Sequence, residues 1–180
     1  MTELRLSTRL GHALLFSGLA ALVVLIKLLP LNTGPRMWPA PDLLLCLVLA
    51  WVVRRPDLLP LLLVAALLFV ADMMLMRPPG LWSGLVVLAT EWLRRRQRPL
   101  RAMPFAVECA MIGGIIATLI VVHWAVLAVL FVQQPTLGQQ LLQVPLTILA
   151  YLPVVALLHF GLGVRKQPAI EGFGAGAART

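Results

Sequence analysis

The chain has 180 residues, 61% hydrophobic and only 12% charged, about half the charged share of a soluble globular domain. Its mean hydropathy is +0.95, and 15 Lys and Arg against 7 Asp and Glu leave a net charge of +8. A chain this small cannot hide so much apolar surface in one water-soluble core, which excludes a soluble enzyme, a disordered tail and a secreted disulfide scaffold and leaves an integral membrane protein.

Six apolar runs follow in chain order. The first, 10–29, has 20 residues, one bilayer crossing at ~1.5 Å per residue. Lys27, Pro30 and Asn32 close it and no Ala-x-Ala follows, so it reads as a retained anchor helix and not a cleaved signal. The second run, 39–53, is short at 15 residues; the third covers 58–76, and the fourth, 81–93, is shorter still. The fifth, 103–132, is 30 residues long and must tilt or project into water, and the sixth is 141–164. Pro41, Pro60, Pro104 and Pro145 fall in the first turns of runs two, three, five and six, where a missing N–H is tolerated. Pro78 and Pro79 precede run four, and Pro153, deep in run six, predicts a kink. Unbroken apolar stretches without two-residue alternation exclude strands.

Charge orders the spans. With six crossings and the N-terminus inside, the inner segments carry 12 basic residues, including Arg54, Arg55, Arg165, Lys166 and Arg179, whereas the outer loops carry only Arg36 and Arg77. If run four did not cross, the count would become 4 inside against 10 outside, so the positive-inside bias favours six spans with both termini cytoplasmic. The short runs are accommodated by local thinning of the bilayer or by shielding within the bundle. The expected organisation is one all-α six-helix domain over 1–168 and a flexible cytoplasmic tail over 169–180. The cluster Arg94, Arg95, Arg96, Arg98 and Arg101 lacks interleaved aromatics. It reads as a loop facing lipid headgroups or a cytoplasmic partner, with no nucleic acid.

Ionisable residues within spans are costly and need partners. Lys27, Asp42 and Asp72 form an outer polar layer flanked by Arg36 and Arg77. Two readings stay open: ion pairs that fix helix packing, such as Lys27 with Asp42 or Asp72, or an outward-facing ligand or coupling-ion site. Glu91 and Glu108 form an inner layer beside the arginine cluster, with pairing to those arginines set against a proton relay. His123 is expected to bond a neighbouring helix. Cys46 and Cys109 are expected to be inert thiols, and no metal, cofactor or catalytic motif is found. Trp38, Trp82 and Trp92 suit membrane interfaces. The small pairs Ser17 with Ala21 and Gly113 with Ala117 are candidate helix-docking faces.

Residues 35–101 resemble MreD, the rod shape-determining membrane protein family of bacteria. The likeness is carried by PDLLL at the start of run two, the W-x-x-R-R-P turn, an aspartate late in run three, a P-G-L step into run four and the arginine cluster. Runs five and six fit by hydropathy alone. The resemblance implies a non-enzymatic, multi-pass component of the bacterial inner membrane. Such a component binds MreC through its membrane helix and works with MreB, RodZ and the glycosyltransferase and transpeptidase of lateral peptidoglycan synthesis. It also implies a fold similar to the substrate-binding components of energy-coupling-factor vitamin transporters. The alternative is therefore a small-molecule-binding transporter subunit, although the outer loops NTGPRMW, RPPG and QQPTLGQQ are short for covering a ligand.

Overall fold

The computed structural model describes residues 2–29, 39–97, 103–132 and 136–161, and for residues 2–9 the backbone alone. Arg36, Trp38, Arg98, Arg101, Arg165, Lys166, Arg179 and the expected tail 169–180 lie outside the described residues. Among the described residues the regular structure is entirely helical, in six α-helices. They are α1 (Thr2–Leu28), α2 (Leu43–Arg54), α3 (Leu61–Met74), α4 (Leu81–Arg95), α5 (Phe105–Val129) and α6 (Leu137–Ala156). A 3-10 turn, Pro56–Leu58, joins α2 to α3, and a π-helical turn, Leu157–Gly161, continues α6.

Three of these helices are long and apolar enough to cross a membrane: Leu10–Leu28 within α1, α5, and Leu137–Phe160 at α6. α2 and α3 are apolar but shorter. The 15 residues of α4 bury a stripe of Trp82, Ser83, Val86, Thr90 and Leu93, while Leu88 faces outward.

The centre of the molecule is α2. Every residue from Leu44 to Arg54 is buried, as befits a helix that is apolar on all sides. At 12 residues it is about 18 Å long, well short of the ~30 Å hydrocarbon core. It therefore relies on its neighbours: α1, α4 and α6 pack directly on it. The outer helices form an arc, with α1 on α3, α3 on α4, α4 on α5 and α5 on α6. Large apolar side chains point away from the core along this arc, among them Leu14, Phe69, Leu88, Val129 and Leu149. Such a surface suits a bilayer as the surrounding solvent. Phe16 of α1 meets Trp51 of α2 edge-on at 5.4 Å between ring centres, which anchors the most peripheral helix to the core.

Helix starts follow local chemistry. Asp42 caps α2, its side chain accepting the N–H of Leu45. Pro60 and Pro104 hold the N-cap positions of α3 and α5, and Gly80 takes that of α4 at φ +90°, a left-handed conformation that favours glycine. Helix α6 begins at Leu137, earlier than its apolar run, so Pro145 lies inside the helix and not in its first turn. Pro153 also lies inside α6, which passes into the π-helical turn four residues later.

Helices α5 and α6 approach closely at Gly113, where an added Cβ would lie 3.1 Å from the Ile148 Cδ1 atom. The adjacent Gly114 has open space around its Cβ position. Gly113→Val should therefore destabilise the bundle by about 1–3 kcal/mol through overpacking, whereas Gly114→Val leaves the midpoint of unfolding in detergent nearly unchanged. Thermal melts of the two variants followed by circular dichroism check this contrast.

Candidate functional site

At one end of the bundle Asp42 collects two cations. Lys27 Nζ of α1 lies 2.8 Å from its Oδ1, and Arg77 Nη1, beyond α3, lies 3.5 Å from its Oδ2. The carboxylate side chain is only 3% exposed, so it is held by charge and hydrogen bonding where water does not reach. The Asp42 backbone N–H donates to Thr147 Oγ1 of α6, and the hydroxyl of Thr147 donates to the Gln143 carbonyl. One turn further along α2, the Cys46 thiol donates to the Thr147 carbonyl. The Gln143 amide donates to the Ala40 carbonyl. One residue thus ties together α1, α2, the segment after α3, and α6.

Asp72, also buried, acts differently. Its Oδ2 accepts the Ser83 N–H at 3.0 Å, so an aspartate late in α3 caps the first turn of α4, where the helix dipole favours negative charge. Nearby, the Arg77 guanidinium sits over the Trp82 ring at 5.7 Å, and Trp82 meets His123 of α5 edge-on at 5.0 Å. Trp82 is buried within the bundle. The buried His123 Nδ1 has no hydrogen-bond partner among the described residues, so the ring contact stands in place of the expected interhelical hydrogen bond.

A second ionic cluster lies toward the other end. Arg54, in the last turn of α2, places Nη1 3.6 Å from Glu108 Oε1 in the first turn of α5. The Tyr151 hydroxyl of α6 donates to the same carboxylate oxygen at 3.2 Å, and Arg54 also donates to the Ala50 carbonyl. All three side chains are buried. Glu91 does not join this cluster. It pairs with Arg95 one turn away on α4 at 3.0 Å, in a half-exposed setting that contributes little.

The remaining candidates separate in space. Arg94 donates to the Leu59 carbonyl, Arg95 faces Glu91, and Arg96 covers the Trp92 ring at 4.5 Å. Gly113 is buried against α6 and Ala117 is half-buried, so the space beside Gly113 is already filled. On α1, Ser17 is half-buried and donates to the Ala13 carbonyl, whereas Gly18 and Ala21 are exposed beside Leu14, Leu22 and Leu25. Cys46 and Cys109 are free thiols. Among the described residues no group of three His, Cys, Asp or Glu is placed to hold a metal ion.

Sequence reasoning missed Thr147, Tyr151 and Ser83 as partners of the buried charges. A signal for the first two exists: Gln143, Thr147 and Tyr151 recur every four residues and form a polar stripe on an otherwise apolar helix. Both clusters, taken as chemistry, neutralise charge and fix helix positions. Comparison with protein-family models, with curated proteins and with solved structures returns no match to this chain.

Removing Asp42 leaves Lys27 and Arg77 without their shared anion, so Asp42→Ala should cost about 3–5 kcal/mol, the range for a broken buried pair. Reversible unfolding in mixed micelles measures it. At the second cluster Glu108→Leu should be strongly destabilising alone, while the double variant Arg54→Met with Glu108→Leu recovers most of that loss, because no buried charge is then orphaned. A double-mutant cycle on the same assay checks it.

Proposed function

We propose that this chain is a membrane scaffold of the MreD type, non-enzymatic and multi-pass in the bacterial inner membrane. On this reading it holds the single span of MreC and so influences lateral wall synthesis by the complex that includes MreB, RodZ and the glycosyltransferase and transpeptidase pair. The arginine-rich end and both termini face the cytoplasm, and the helices take the arrangement of energy-coupling-factor substrate-binding components. Support begins with the sequence likeness over residues 35–101. The observation that carries the choice of scaffold over ligand binder is the direction of Asp42 and Asp72. Both are buried, one facing Lys27 and Arg77 and the other the first turn of α4. Carboxylates engaged in this way hold helices together; a ligand-binding subunit needs polar groups converging on an open pocket.

The face offered to a partner helix is the outer side of α1, where Gly18 and Ala21 lie exposed between large apolar neighbours. Small residues let another backbone approach closely in lipid. The test is purification from the native membrane in mild detergent, native mass spectrometry, and photocrosslinking from position 21. Recovery of a single-span protein with a large outer domain, crosslinked at α1, is the expected outcome. Recovery with a stoichiometric small molecule or an ATPase module would overturn the reading. Gly18→Leu is expected to weaken partner capture several-fold, with the helical content unchanged.

A further inference from the structure

The short helices of the bundle are of two kinds. α2 is enclosed, but α4 is not: Gly84, Leu88 and Trp92 recur every four residues and lie exposed along one face. That face is bounded at both ends. Before it stand Arg77 and the turn Pro78-Pro79-Gly80. After it, Glu91 and Arg95 form their partly exposed ion pair at 3.0 Å. Continuous apolar surface on α4 therefore runs from Leu81 to Trp92, ~18 Å at ~1.5 Å per residue, against a hydrocarbon core of ~30 Å. Tilting the helix only shortens its projection across the bilayer.

Long cationic side chains near a helix end can hide such a mismatch by snorkelling outward to water. Here they reach the other way. Arg95 bonds Glu91 and Arg96 covers the Trp92 ring, and each contact points back one turn toward the middle of α4. The polar level of this face thus begins at Glu91. α3 packs alongside and is also short, 14 residues or ~21 Å, with Leu62, Phe69 and Met73 exposed. Further along the arc the lengths change. Phe105–Val129 and Leu137–Phe160 have 25 and 24 residues, each ~36 Å or more. One side of the bundle matches a thick hydrocarbon layer and the other a thin one.

We infer that the α3–α4 face is a lipid surface fitted to a locally thinned bilayer, which gathers short-chain phospholipids and draws their headgroups inward to Glu91 and Arg95. The inference rests on the multi-pass reading, with α4 crossing the membrane, and not on the choice of partner. The test places a photoreactive benzophenone side chain at position 88 of the full chain. The protein is reconstituted in vesicles of equal parts dimyristoleoyl, dioleoyl and dierucoyl phosphatidylcholine, and the adducts are identified by mass spectrometry. Position 149 on α6 is the reference, since Leu149 is 64% exposed and Leu88 69%. Several-fold enrichment of the shortest chain over the longest is expected at position 88 and absent at 149. Glu91→Leu with Arg95→Leu lengthens the apolar face and should shift the adducts at 88 toward the dioleoyl lipid. Equal lipid composition at the two positions, unchanged adducts in the double variant, or an adduct to a second copy of the chain in place of lipid would overturn the inference. Impermeant maleimide labelling of Pro79→Cys and Arg96→Cys, in a Cys109→Ala chain whose Cys46 is buried, separates the two readings. Labelling from opposite sides upholds the crossing, so that a failed lipid preference falls on the thinned bilayer alone. Labelling from the same side would overturn both.

Discussion

Asp42 stands where an unpaired charge would cost several kcal/mol, and the surrounding helices are arranged to prevent that. Lys27 reaches it from the far end of α1 and Arg77 from the segment leading to α4, so α1 and the exit of α3 are drawn to the start of α2. The backbone of the same residue is bonded to α6. Hydrophobic attraction between helices disappears in lipid, because the surrounding chains are as apolar as leucine. Register and azimuth then depend on specific packing and polar contacts such as these. The Arg54–Glu108–Tyr151 cluster does the same for α2, α5 and α6 at the other end. Between the two, α2 is pinned at both ends and surrounded.

This arrangement resolves the shortness of α2. A helix of 12 residues cannot match a bilayer by itself. Enclosed by α1, α4 and α6, it need not, since its hydrocarbon environment is supplied by protein. Arg54 is tolerable at its end for the same reason: the enclosing helices bring Glu108 and Tyr151 within reach.

Much of the helical plan was legible in the sequence because apolar run length and proline punctuation report directly on helices. Lys27 with Asp42 was legible as one of two pairings, since opposite charges at similar depth in neighbouring runs have few alternatives. The partner of Glu108 was not, because depth along a span says nothing about which side of the helix a residue occupies. Glu91 and Glu108 share a depth, yet one faces Arg95 at the surface and the other Arg54 in the core. The start of α6 was misplaced because Gly138, Gln139 and Gln140 interrupt the hydropathy, although glutamine is a good helix former. The same dependence on run boundaries placed Pro145 in a first turn. Gly113 looked like a docking face because small-residue spacing indicates a close contact without saying whether the partner lies inside or outside the chain.

The bond between Asp42 and Thr147 spans 105 residues, and it sets an order of events during biosynthesis. Helix α2 leaves the ribosome early, yet the helix that receives its backbone amide and its Cys46 thiol is the last of the six. Until α6 arrives, one flank of the most buried helix has no permanent cover. Nascent chains that stall after α5 would present that flank, with its carboxylate and thiol, to the insertion machinery and to membrane quality control. Completion of α6 is thus the step that turns an inserted chain into a closed bundle.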